Sequence, residues 1–295
     1  MKIGVVGIGK MGAAIAARLM GQGHTVTLWN RSAGKTAALA AAGAQVAQTP
    51  AELAAHCEIV ISILTDAAAI AAAYDGANGL LSADVAGKLF VEMSTVRPDT
   101  AKALAARINA KGGAMIDCPV GGTVGPAKDG KLFGFVGGDA SDVARAKPLL
   151  DQLCRRVEHV GAVGAGASMK LAINLPLLVY WQALGESLAL CSRLGLDGAR
   201  LIDILGDTSG APNVLKVRGA ALAGAIDGVE PAQTTFDIDS VRKDLRTMIE
   251  EAGSFGARLP VAEQALACFD AASADGLGAR DCAMLPVRWS KQRSR

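Results

Sequence analysis

Two groups of residues in this chain have types and spacing that could do chemistry. The first is a glycine set, Gly7, Gly9 and Gly12, within "KIGVVGIGKMGAAIAARL" at 2 to 19. The second is Lys170 with Asn174, four residues apart in the apolar stretch "MKLAINL". In the first group the apolar run ahead of Gly7 reads as a strand, and Ile15, Ala16 and Leu19 behind Gly12 read as one face of a helix. In a strand–turn–helix of this kind the first glycine makes a tight turn, the second lets backbone approach a pyrophosphate and the third lets helix and sheet pack closely. The N–H groups and the positive end of the helix dipole favour the anion. Gly7, Ile8, Gly9, Lys10, Met11 and Gly12 are therefore expected to cradle a dinucleotide.

Which dinucleotide is decided at the end of the next strand. An NAD site wants an acidic residue about 20 residues on, to accept from the ribose hydroxyls. Here the segment reads "LWNRSAGK" at 28 to 35. Asn30 stands in place of the acid and removes its repulsion of a 2′-phosphate, while Arg31, Ser32 and Lys35 can donate to one. The expectation is that NADP(H) is preferred, without excluding NAD(H).

A cofactor also needs a proton partner. His24, His56 and His159 have no acidic residue patterned around them and read as structural or surface residues. Lys170 lies near the start of a helix, with Asn174 one turn later on the same face. The helix amino end and apolar neighbours both disfavour an ammonium, so the lysine could exchange a proton near neutral pH. On position alone a lysine snorkelling to water from a buried helix fits equally well.

The elements that must position these residues follow an alternating grammar up to about residue 160. "KIGVVG", "HTVTLWN", "EIVISIL", "KLFVEMS" and "GAMIDCPV" read as strands, with helices at 11–21, 34–42, 67–74 and 98–110 between them. "KLFGFVGG" and "RRVEHVG" extend the sheet around a helix at 140–153. Such alternation predicts a parallel sheet with crossover helices and ligands at the strands' carboxyl ends. Beyond "GAVGAGAS" (161–168), a hinge or helix start, the segments near 168–194, 197–206, 211–223, 237–254 and 259–275 read as helices. The fold class expected is α/β, an N-terminal Rossmann doubly wound sheet over 1–163 followed by an all-α domain over 164–295.

At 295 residues the chain is long enough for two domains. Its net charge of +2 gives no reason to invoke nucleic acid or an anionic membrane. Cys57, Cys118, Cys154, Cys191, Cys268 and Cys282 form no C-x-x-C pair, so neither a metal site nor a disulfide framework is expected. Reduced thiols and the lack of a secretory pattern point to a cytoplasmic protein. The most lipid-like stretch, 171–184, is broken by Asn174, Pro176 and Gln182 and falls short of the ~20 residues of a membrane span.

Five blocks now stand in order: the glycine turn at 7–19, "MSTVRP" (93–98), "DCPVGGTVGPAKDGKL" (117–132), "GAGASMKLAINL" (164–175) and "RKDLRTMIEEA" (242–252). With them the chain resembles, over essentially its whole length, the β-hydroxyacid dehydrogenase family. That family is related to 6-phosphogluconate dehydrogenase and includes enzymes of the 3-hydroxyisobutyrate dehydrogenase, tartronate semialdehyde reductase and glyoxylate/succinic semialdehyde reductase type. The resemblance implies that Lys170 is the catalytic lysine and that Asn174 helps to hold substrate. It also implies cofactor contacts from Leu64, Thr65 and Thr95, with Lys243 reaching the cofactor from the helical domain. Gly121, Gly122 and Thr123 fall on the family's carboxylate-binding turn, where most relatives read P-V-S-G-G. This chain lacks that serine, and Thr123 offers a hydroxyl from a shifted position.

The reading is reversible hydride transfer between NADP(H) and a 3-hydroxy acid or semialdehyde, with Lys170 as general acid and base and a small molecule as partner. A homodimer or homotetramer is expected from the long apolar helix. Two alternatives stand beside it, an imine reductase-like enzyme and a non-catalytic NADPH-binding module. The intact Lys170, Asn174 and Lys243 argue against the second.

Overall fold

The computed structural model describes residues 1–229 and 234–290. The chain divides into two compact units, Met1–Leu171 and a second that begins at Ala172.

The first unit is built on one mixed sheet. Its strands are β1 (Lys2–Val6), β2 (Thr25–Trp29), β3 (Gln45–Val46), β4 (Ile59–Ser62), β5 (Leu89–Glu92), β6 (Ala114–Asp117), β7 (Val120–Gly121), β8 (Leu132–Gly137) and β9 (Cys154–Gly161). Between them run α1 (Lys10–Gly21), α2 (Ala37–Ala41), α3 (Pro50–His56), α4 (Ala67–Tyr74), α5 (Pro98–Asn109), α6 (Val124–Lys128) and α7 (Ala140–Leu153). The long α8 (Ala165–Cys191) starts in this unit. The strand order is β3-β2-β1-β4-β5-β6-β8-β7, with β9 paired to β8. The strands from β3 to β6 are parallel. Because β1 pairs with both β2 and β4, the winding reverses there, and in doubly wound sheets ligands bind outside the carboxyl ends of the strands at such a switch point.

Burial explains why these residues are strands. β4 and β5 are buried throughout, as expected of parallel strands covered on both faces. Alternation sends Ile3, Val5, Ile61 and Val91 to one face with Ile15 and Leu19. Val6, Val60 and Phe90 face the other, with Leu53, Tyr74 and Leu104.

The doubly wound sheet and the first-unit helices agree with the sequence reading, and the structure adds to it. β3 has two residues, both exposed, and β7 two, a buried Val120 and a half-buried Gly121, and both strands are too short for a periodic signal. α3 announces itself through a cap: the Glu52 N–H donates to Thr49 Oγ1 at 3.1 Å, and Glu52 Oε2 accepts the Gln48 N–H at 2.7 Å. The sheet is not wholly parallel, since β8 runs antiparallel to β6 and β7.

The second unit is helical among its described residues: the rest of α8, then α9 (Gly198–Gly206), α10 (Asn213–Ile226), α11 (Ile238–Ser254), α12 (Pro260–Ala272) and α13 (Met284–Ser290). Its buried centre includes Trp181, Leu222, Leu245, Phe269 and Leu285. Arg218 pairs with the buried Asp281 and lies over the Trp181 ring. No helix among the described residues is long and apolar enough to cross a membrane.

Candidate active site

The glycine turn is shaped as its sequence requires. Gly7 has φ +96°, and a Cβ there would collide with the Ile63 carbonyl of the neighbouring strand end. A Cβ on the buried Gly12 would collide with the Gly7 carbonyl, so α1 starts hard against the turn. At Gly9 an added Cβ would meet nothing within 4 Å, so the outer face of the turn is open to a ligand. The first turn of α1 contains no acidic residue, and its leading N–H groups have no partner within the helix. An open glycine face, a positive helix end and no competing carboxylate fit the diphosphate of a dinucleotide.

At the end of β2, Asn30 turns inward. Its Oδ1 accepts the Ile8 N–H at 2.9 Å and its Nδ2 donates to the Ser32 carbonyl at 3.0 Å. The amide thus ties the glycine turn to the segment after β2, and the Ile8 N–H is committed to that tie. Arg31, Ser32 and Lys35 are exposed around it.

Because β1, β4, β5 and β6 are parallel, Gly7, Leu64, Thr65, Thr95 and the 121–123 turn share the carboxyl edge of the sheet. Leu64 and Thr95 are half-buried and Thr65 is exposed. Gly121 ends β7, Gly122 has φ +121°, and Thr123 precedes α6, which packs on α1. The start of α8 is held at the same edge. Asp117, the last residue of β6, accepts the Gly164 N–H at 2.7 Å and the Ala167 N–H at 2.8 Å. Lys170 follows three residues later and is buried, as is Asn174 one turn further along. The Gly/Ala stretch is therefore a gripped helix start: a Cβ on Gly166 would strike the Phe135 carbonyl. Lys243 belongs to the second unit, on α11, where its Nζ lies 2.5 Å from the Asp244 carboxylate.

The histidines are held by local bonds. His24 Nε2 lies 2.7 Å from Gln152 Oε1, the His56 ring donates to the Glu52 carbonyl, and His159 Nε2 donates to the Gly138 carbonyl at 2.8 Å. All six cysteines are unpaired by disulfides, and burial raises the Cys154 and Cys282 thiols to about 12. Among the described residues no group of three or more His, Cys, Asp or Glu is placed to hold a metal ion.

Residues 2–161 match the family model of the NAD-binding domain of 6-phosphogluconate dehydrogenase, and residues 164–287 match that of the NAD-binding domain of NADP-dependent 3-hydroxyisobutyrate dehydrogenase. The chain is 32% identical to glyoxylate/succinic semialdehyde reductase 1 of Arabidopsis thaliana over 281 residues, 95% of this chain and 96% of that protein. The chain belongs to the β-hydroxyacid dehydrogenase family. Among solved structures it superposes on the Mycobacterium tuberculosis 3-hydroxyisobutyrate dehydrogenase with L-serine at a TM-score of 0.85, with 27% identity and 99% of each chain covered. It superposes on Psf3 in complex with NADP+ and 2-OPP at a TM-score of 0.85, with 26% identity, covering 96% of this chain and 98% of that one. This β-hydroxyacid dehydrogenase is accordingly an NAD(P)-dependent oxidoreductase acting on a small molecule, and its first unit binds the nicotinamide dinucleotide.

Sequence reasoning missed two buried carboxyl groups of this dehydrogenase, Glu92 and Asp117, which are register partners at the ends of β5 and β6. Burial pushes the Glu92 carboxyl from its ordinary 4.5 up to about 7; bonds from Ser62 and Ser94 pull the other way, and the Asp117 charge adds to the rise. Burial likewise raises Asp117, against the lowering effect of the Gly164 and Ala167 N–H groups. A signal was available: each acid closes an apolar strand whose interior neighbours leave it no water.

Proposed function

We propose that the enzyme interconverts a small semialdehyde or other aldehyde acid and the corresponding 3-hydroxy acid with NADP(H), with Lys170 as the general acid and base. What supports this reading is the grip of Asp117 on the first turn of α8, three residues before Lys170, at the sheet edge that also carries the glycine turn. The glyoxylate/succinic semialdehyde reductase and the 3-hydroxyisobutyrate dehydrogenase named above are named for small acids, which agrees with a carboxylate-bearing substrate.

When bound, the nicotinamide ring supplies or accepts the hydride. Gly7 to Gly12 hold the diphosphate, and Leu64, Thr65, Thr95 and Lys243 hold the remainder of the dinucleotide. Arg31, Ser32 and Lys35 take the 2′-phosphate, and Asn30 keeps their backbone in place. The Lys170 Nζ holds a proton for the substrate oxygen during reduction and receives it back during oxidation. Asn174 and the N–H groups of Gly121, Gly122 and Thr123 orient the substrate's oxygen and carboxylate. The enzyme works in the cytoplasm, and the apolar α8 with its exposed Leu190 supports a homodimer or homotetramer.

The test is a steady-state panel of semialdehydes, glyoxylate, 3-hydroxy acids and 3-hydroxy amino acids with both cofactors. NADPH-linked turnover of an aldehyde acid, lost in Lys170→Ala, supports the assignment. Turnover confined to imines, or NADPH binding with no turnover of any carbonyl, overturns it.

A further inference from the structure

The carboxyl ends of β4 and β5 carry a closed ring of polar groups. Ser62 and Glu92 are register partners, each the last residue of an otherwise apolar, buried strand. Ser62 Oγ donates to Glu92 Oε2 at 2.5 Å and lies 2.7 Å from the Tyr74 hydroxyl on α4. Glu92 Oε1 accepts the Ser94 N–H at 2.8 Å, and Ser94 Oγ in turn accepts the Leu64 N–H at 2.8 Å. The path thus runs from α4 through β4 and β5 and returns to the loop that leaves β4.

Burying a carboxyl is costly, and an apolar residue would finish β5 without that cost. This carboxyl does something an apolar residue could not do: it fixes Ser94 so that its hydroxyl reaches across to the neighbouring loop. The two segments tied together, 62–64 and 92–94, run directly into Leu64, Thr65 and Thr95. The ring survives either protonation state. A neutral Glu92 donates to Ser62, which then donates to Tyr74; a charged one accepts from Ser62 while Tyr74 donates.

We infer that Glu92, acting through Ser94, is a positioning residue that clamps the β4–α4 loop to the β5–α5 loop and so shapes the seat of the nicotinamide half of the cofactor. The inference rests on the reading that Leu64, Thr65 and Thr95 touch the cofactor.

Fluorescence titration with NADPH and NADH, alongside calorimetric titration with ADP, tests it. Ser94→Ala removes the last link of the clamp and should weaken both nicotinamide cofactors by about three- to tenfold. Affinity for ADP, which has no nicotinamide half, should stay within about twofold, and a general loss of structure would not spare it. Glu92→Gln keeps an acceptor for the Ser94 N–H and a donor for Ser62, so it should bind NADPH like the parent, whereas Glu92→Ala should match or exceed the loss in Ser94→Ala. Thr95→Ala separates the two levels of the argument. If it weakens NADPH while Ser94→Ala and Glu92→Ala do not, the clamp is wrong and the cofactor seat stands. If Thr95→Ala and Thr65→Ala both bind NADPH like the parent, the reading of the seat is wrong and the inference falls with it.

Discussion

Asp117 Oδ2 accepts the Ala167 N–H at 2.8 Å, so the end of a central strand grips the first turn of the helix that carries Lys170. The companion bond from the Gly164 N–H to Oδ1 makes the grip two-handed. Asp117→Asn keeps the shape but turns an NH₂ toward one of the two N–H groups. Each charged bond of this kind is worth about 1.5 to 3 kcal/mol. Expected are a lower melting temperature and a kcat reduced further than the change in NADPH affinity, read by steady-state kinetics beside cofactor titration.

Lys170→Ala should keep folding and NADPH binding and lose about a hundredfold or more in kcat, the usual scale for a positioned acid or base. Lys170→Arg should be nearly as poor, because a guanidinium does not give up its proton to serve as base. Near-parental turnover by either variant places the proton donor elsewhere.

The exposed cations at the end of β2 predict a lower KM for NADPH than for NADH. Arg31→Ala should weaken NADPH by about 1 to 3 kcal/mol and leave NADH nearly unchanged. Asn30→Asp should disturb more than the 2′-phosphate, because Asn30 also fixes the Ile8 N–H and the Ser32 carbonyl. Equal KM values in the parent count against the cofactor assignment.

Glu92 makes stability depend on pH. Its pKa is raised from 4.5 to about 7 on folding, so between those values the folded state binds more protons than the unfolded one. Its contribution is complete below about pH 4.5 and is lost as pH rises through about 7. The loss is on the order of 3 kcal/mol. Melting temperatures across pH 5 to 8 should fall more steeply in the parent than in Glu92→Gln, and parallel curves would show that Glu92 does not titrate in this range.

At Gly121 an added Cβ would meet Phe135 Cε2 at 3.6 Å and Phe133 Cβ at 3.8 Å, ordinary contact distances. Gly121→Ser should therefore fold normally and, by adding a hydroxyl where the family's carboxylate turn usually has one, improve activity on glyoxylate or tartronate semialdehyde. Gly122→Ser is the contrasting control: with φ +121° and Leu132 Cδ2 2.9 Å from the new Cβ, it should cost about 1 to 3 kcal/mol of stability. A size series of aldehyde acids decides the first expectation and thermal unfolding the second.

What the sequence determined by itself was everything encoded in local periodicity. The run "KIGVVGIGKMG" carries strand, turn and helix within a dozen residues, and the Rossmann sheet, the helical second unit and the family were legible from such blocks. Gly12 and Gly7 are neighbours along the chain, so their collision geometry could be anticipated as well. Tertiary structure decided what depends on groups brought together from far apart. Glu92 meets Ser62 across 30 residues, and Asp117 meets Ala167 across 50. Nothing in the pattern of β5 or β6 says whether a terminal acid faces water or a neighbouring backbone N–H. Asn30 shows the same division. Its type set the expectation of an NADP(H) preference, but only the fold turned its amide onto Ile8, because an amide goes to whichever unpaired backbone group the packed chain leaves within reach.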